Sequence, residues 1–183
     1  MQNKAKNIIY TAISIALITL SAYITIPFGP VPFTLQTFAI TLVMLLLKPK
    51  VSISAYLIYL LMGTIGIPVF SAMRGGFGVI LGATGGFLWG YAISIIICSL
   101  IQNRCINKVK NKYAYLTFTF LNCGAMTLIA YICGTIQYSV VANITILTAL
   151  STTVIPFIIP DLAKFVVAIA CSKVLKKSID PTK

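Results

Sequence analysis

An all-α, polytopic membrane protein with six transmembrane helices and both termini in the cytoplasm is the fold class this sequence predicts, and three observations carry it. Of 183 residues, 59% are hydrophobic and only 9% charged, with a mean hydropathy of +1.01. That is the composition of a chain dissolved in lipid. Apolar runs recur along its whole length, separated by short stretches rich in Pro, Gly or Lys. The cations sit almost entirely at the ends of those runs. A net charge of +12 would suggest nucleic acid in a soluble protein, but there is no polar body to form a binding face, so the cations read as topology signals and no nucleic-acid partner is expected. One integral membrane domain, residues 1–183, is expected.

The elements follow in order. Residues 1–7 form a short basic head. The run 8–26 is long enough to span and lacks a small-residue cleavage site, so it reads as the first membrane helix rather than a signal peptide. It carries Ala12 and Ala16 on one face and ends before Pro27-Phe28-Gly29-Pro30-Val31-Pro32, a stiff loop with few backbone donors that suits the cap of a cavity. The second run, 33–47, is short for a span, so Thr34, Gln36 and Thr37 must lie near an interface or face protein. The third, 51–67, closes on Gly63, Gly66 and Pro68.

A polar segment with Arg74 then leads into a fourth run to residue 100, in which Gly78, Gly82, Gly86 and Gly90 recur every four residues. If helical throughout, these would form one bare stripe for close helix contact. No Gly-Lys-Ser/Thr follows, so a phosphate loop is not supported. Residues 102–112 carry the strongest basic loop, and a fifth helix is expected over 113–135. The stretch 136–155 is apolar but dotted with hydroxyls, and reads as a short surface-lying or partly inserted helix. The last helix is expected from Pro160, as its first residue, to about residue 176.

With six spans, one side receives Lys4, Lys6, Lys48, Lys50, Arg104, Lys108, Lys110, Lys112, Lys173, Lys176, Lys177 and Lys183, while the other receives Arg74 alone. Both termini are therefore expected inside. The loop 27–32, the Arg74 segment and the start of the last helix then meet on the outer face. The five cysteines show no CxxC and the chain has no histidine, so neither a metal site nor a disulfide framework is expected. An enzyme is not expected either, for want of an activated nucleophile.

Two residues ionise in the apolar stretch 153–170, Asp161 and Lys164, three apart on one helix face. Two readings of them stay open. A first-turn Asp can serve free helix-end amides while the lysine pairs with it or snorkels to the headgroups. Alternatively the pair is a ligand site, since an ionisable group within hydrocarbon is costly unless it faces protein or a cavity.

The segments Gly29-Pro30-Val31-Pro32-Phe33-Thr34-Leu35-Gln36-Thr37-Phe38, Gly66-Ile67-Pro68-Val69-Phe70, Gly82-Ala83-Thr84-Gly85-Gly86-Phe87-Leu88, and Pro156-Phe157 followed by Asp161-Leu162-Ala163-Lys164 resemble the BioY family. These are the biotin-binding S components of energy-coupling factor (ECF) transporters. The likeness covers nearly the whole chain, and Ala83 departs from the Gly-Pro-Thr-Gly-Gly more usual there.

The resemblance implies six membrane helices in a bacterial plasma membrane and high-affinity biotin capture from outside. It also implies docking on a transmembrane coupling subunit that joins two cytoplasmic ATPases. Asp161 and Lys164 match the family's ligand-binding acid and lysine, and Ala12 and Ala16 its partner-contacting face. Gln36, Thr34 and Arg74 are expected as further wall or loop contributors to the ligand site. Biotin is then the transported ligand and no cofactor is expected; membrane lipid is the remaining partner. An S component for another vitamin, or a structural or assembly subunit, is the alternative.

Overall fold

The computed structural model describes residues 2–27, 29 and 31–179. Expectations that fell on Met1, Phe28, Pro30, Asp180 and Lys183, or on the side chain of Lys177, lie outside the described residues. The chain forms helices α1 (Gln2–Tyr23), α2 (Gln36–Leu46), α3 (Pro49–Thr64), α4 (Phe77–Leu81), α5 (Gly85–Arg104), α6 (Lys112–Val141), α7 (Ile146–Thr153) and α8 (Ile155–Ile179). A two-residue hairpin, β1 (Thr25–Ile26) and β2 (Phe33–Thr34), joins α1 to α2, with Thr25 opposite Thr34 and Ile26 opposite Phe33.

Four of these helices, α1, α5, α6 and α8, are long and apolar enough to cross a membrane. Their outer faces expose Ile13, Leu20, Ile97, Leu121, Leu128, Val166 and Val167, as expected where the solvent is hydrocarbon. The core is lined by Ile18, Ile40, Met44, Tyr56, Tyr59, Phe70, Ile95, Met126 and Phe165. Helix α2 is buried along nearly its whole length and packs on α8, while α1 packs on α3. The most extensive pair is α5 with α6.

Local rules account for most boundaries. Pro49 opens α3 at its first position, preceded by extended Lys48 (φ −65°, ψ 148°). Asn111 caps α6, its side-chain oxygen accepting from the N–H groups of Tyr113 at 2.9 Å and Ala114 at 3.2 Å. Thr145 caps α7 through the N–H of Thr148.

Several expectations are corrected. Helix α6 runs six residues past 135, because 136–141 continue its apolar register, and only Ile146–Thr153 forms the separate short helix. The second helix starts at Gln36 rather than 33, since Phe33 and Thr34 are spent on the hairpin. The glycine stripe is not continuous: α4 ends at Leu81, Gly82 is extended (φ −78°, ψ −174°), and α5 begins at Gly85. Only Gly86 and Gly90 serve the seam with α6. A Cβ on Gly86 would fall 2.5 Å from the Cys133 carbonyl oxygen, and one on Gly90 2.9 Å from Ala130 Cα, so a side chain at either position would push the helices apart.

The last helix is also corrected. Pro160 is not its first residue but lies inside it, α8 beginning five residues earlier at Ile155. Pro156, the second residue, occupies the first-turn position where a missing N–H costs nothing, and protein neighbours tolerate the interior proline that follows. Asp161 and Lys164 are therefore in the second and third turns, away from the helix-end amides.

Candidate functional site

The hairpin, the loop after α3, the α4–α5 break and the start of α8 converge on one pocket. Its lining includes Val31, Pro32, Thr34, Gln36 and Thr37 from the hairpin and α2, and Phe70 and Ser71 from the loop. Val79, Thr84, Phe87, Leu88 and Tyr91 come from the α4–α5 region, and Tyr131, Thr153, Phe157, Asp161 and Lys164 from α6 to α8. The space between them, open mouth included, is about 670 Å³, within the range of small-molecule sites.

Asp161 and Lys164 are both buried, at 4% and 8% exposure, although they ionise. Their i,i+3 spacing on α8 brings Lys164 Nζ to 2.8 Å from Asp161 Oδ1. A buried pair is tolerable when the remaining hydrogen-bonding capacity of each ion is met. Tyr131, from α6, donates its hydroxyl to Asp161 Oδ2 at 2.6 Å. Lys164 Nζ also donates to the Thr34 carbonyl at 2.7 Å, and it lies 3.9 Å from the centroid of the Phe33 ring, a cation–π contact. Phe33 in turn stacks on Phe157 of α8 at 6.1 Å. The hairpin makes this possible: pairing Thr25 with Thr34 folds the chain back so that β2 presents its carbonyl to α8.

Tyrosines hold the other polar walls. Gln36 Nε2 donates to the Tyr59 hydroxyl at 2.9 Å, and the hydroxyls of Thr37 and Tyr91 lie 3.1 Å apart. Asp161, Gln36 and Thr37 are thus each oriented by a phenol from a different helix. The site offers an anionic acceptor, a cation and amide and hydroxyl groups between aromatic and aliphatic walls. A ligand with N–H donors at one point and a carbonyl or carboxylate at another can exchange partners with the internal pair.

The structure brings Asp161, Lys164, Gln36 and Thr34 into one pocket, Thr34 acting through its carbonyl rather than its hydroxyl. Arg74 is not among the lining residues. It is exposed and folds back on Ser71, Nε donating to the Ser71 carbonyl at 3.2 Å, so Ser71 reaches the pocket and the guanidinium does not. Ala12 and Ala16 are exposed on α1, outside the bundle. Sequence reasoning missed Tyr131, Tyr59 and Tyr91 as site residues, because a tyrosine within an apolar helix carries no signal of what lies across from it. Among the described residues no group of three or more His, Cys, Asp or Glu is placed to hold a metal ion.

Apolar helices enclosing a pocket with a buried, fully partnered acid–lysine pair define a membrane protein with an internal small-molecule site. The BioY family model matches residues 1–181, and the chain belongs to that family. It is 35% identical over 173 residues to the biotin transporter BioY of Thermotoga maritima, covering 94% of this chain and 96% of that one. It is 34% identical over 173 residues to the probable biotin transporter BioY of Pyrococcus horikoshii, covering 94% and 98%. The fold is similar to the crystal structure of the S-component for biotin from an ECF-type ABC transporter, with a TM-score of 0.84 and 27% identity over 96% of this chain and 93% of that one.

Proposed function

We propose that this chain captures biotin at the outer face of the bacterial cell membrane, as the substrate-binding subunit of an ECF transporter, and passes it inward with the help of a transmembrane coupling subunit and two cytoplasmic ATPases. The observation that carries the reading is the Asp161–Lys164 pair at 2.8 Å inside the pocket, on the segment where the resemblance to the family implies a ligand-binding acid and lysine. The family membership and the relatives described as biotin transporters support the ligand. Transport is the role, catalysis is not, and biotin is cargo rather than cofactor.

In this reading Asp161 accepts a ureido N–H, Lys164 meets the ureido carbonyl or the carboxylate, and Gln36 and the Thr34 carbonyl complete the polar contacts. The thiophane ring and valeryl chain lie against Phe87, Leu88, Tyr91 and Phe157. The single domain spans the membrane six times, with α4 and α7 as short extra helices and both termini inside. Helix α2 is only about 16 Å long at 1.5 Å per residue, but it is almost wholly covered by protein, so its length need not match the hydrocarbon thickness. The exposed Ala12/Ala16 face of α1 receives the coupling subunit.

Equilibrium binding of biotin, compared with other vitamins, to the detergent-purified protein tests the reading. Tight, selective biotin binding is expected. Preference for a different vitamin would replace the ligand, and absence of binding to any would leave a structural subunit.

A further inference from the structure

The break between α4 and α5 is clamped by one side chain that takes no part in the ligand contacts described above. In an unbroken helix the Ile80 carbonyl would receive the N–H of Thr84. Here the backbone bonds across the break run instead from the Gly82 N–H to the Val79 carbonyl and from the Gly85 N–H to the Gly82 carbonyl. A carbonyl left without a partner away from water is costly. Gln137, on α6, reaches across and donates through Nε2 to the Ile80 carbonyl at 2.8 Å and to the Gly82 carbonyl at 2.7 Å. Its Oε1 accepts the indole N–H of Trp89 at 2.7 Å, the one tryptophan of the chain. The fit leaves no spare room: a Cβ on Gly85 would fall 2.7 Å from Gln137 Nε2, and one on Gly86 2.9 Å from Gln137 Cβ.

The break matters because Val79, Thr84, Phe87 and Leu88, on either side of it, line the pocket, whereas Gln137 does not. We propose that Gln137 is a positioning residue for ligand binding, which fixes the α4–α5 break and through it one wall of the pocket. The ligand in this statement rests on the biotin reading; the clamp itself does not.

A second glutamine supplies the contrast. Gln102, at the other end of the α5–α6 seam, donates to Asn107 Oδ1 at 3.2 Å and Thr119 Oγ1 at 3.4 Å, and accepts from Asn122 Nδ2 at 3.1 Å. None of these residues lines the pocket. The same residue type on the same helix pair should therefore differ in its effect on ligand.

The full chain and its Gln137→Met and Gln102→Met variants are compared by hydrogen–deuterium exchange without ligand and by calorimetric titration with biotin. In Gln137→Met, amides over 78–88 should exchange roughly tenfold faster or more, and biotin should bind roughly tenfold or more weakly. Gln102→Met should lower the melting temperature but leave biotin affinity within about twofold of the parent. Unaltered exchange over 78–88 in Gln137→Met overturns the clamp, whether or not the parent binds biotin. Faster exchange there with parental affinity overturns its link to the pocket, as does an equal affinity loss in Gln102→Met. A parent chain that binds no biotin defeats the proposed function, while the exchange comparison still decides on the clamp. If Gln137→Met cannot be purified, Trp89→Phe takes its place. That variant removes only the N–H donated to Gln137, so changes of roughly threefold are expected in both readouts, and unchanged values in both overturn the proposal.

Discussion

At the scale of single residues, the open question in the sequence was whether Asp161 caps a helix or reads a ligand, and the position of α8 decides where its oxygens go. With the helix starting at Ile155, Asp161 is too far along to serve helix-end amides. Its oxygens go to Lys164 and Tyr131 instead. An Asp161→Asn variant keeps one acceptor oxygen but loses the charge, and its amide donors would oppose a ligand's N–H groups. We expect it to insert and fold, with biotin binding weakened at least roughly tenfold, or about 1.4 kcal/mol. Calorimetry together with thermal unfolding checks this, and parental affinity with a lowered melting temperature would leave Asp161 a purely structural role. Lys164→Ala should cost affinity by roughly 1–3 kcal/mol, the range for a charged hydrogen bond, and should also lower stability by leaving Asp161 buried without its cation. If biotinamide suffers no extra loss relative to biotin with the parent protein, Lys164 does not read the carboxylate. This acid–lysine pair was legible because charge is rare in an apolar run. Tyr131, 30 residues away in sequence, was not, since no local pattern ties a phenol to a distant carboxylate.

At the scale of elements, the long helices were legible because hydrophobicity and length alone define them, whereas their ends depend on which of two permitted solutions packing selects. Pro156 and Pro160 both suit a helix start, and the structure uses the earlier one. The four-residue glycine period suggested one stripe, but Gly82 lies in the break, where Gln137 donates to the Ile80 and Gly82 carbonyls. Two predictions belong here. Gly90→Leu should push α5 from α6 at Ala130 and Cys133 and destabilise the fold by roughly 1–3 kcal/mol, the usual cost of overpacking; unaltered thermal unfolding would contradict the close seam. On α1, Ala12 and Ala16 lie exposed between the larger Ile9, Ile13 and Leu20, leaving a shallow strip into which another helix can settle. Replacing both alanines by Leu should keep biotin binding but abolish copurification with the coupling subunit, and normal copurification would remove that face as the contact.

At the scale of the whole molecule, the distribution of cations predicts that Lys108, in the turn between α5 and α6, faces the cytoplasm while Arg74 faces outward. Cysteine placed at position 108, on a background freed of the five native cysteines, should resist impermeant labels in intact cells; ready labelling from outside would invert the topology. Hydropathy could foretell how many apolar runs the chain holds, but not that α2 packs on α8, because helix adjacency is written in side-chain shape and not in average polarity. That adjacency has a bearing on biogenesis. The bond from Lys164 to the Thr34 carbonyl joins residues 130 positions apart, so the hairpin waits through the synthesis of most of the pocket's other walls before its ammonium partner arrives. Synthesis runs from the N-terminus at about 5–20 residues per second. A nascent chain stalled before α8 would thus already possess its most extensive helix pair, α5 with α6, yet leave the hairpin carbonyl without its ammonium, so the arrival of α8 is the event that closes the polar corner of the pocket.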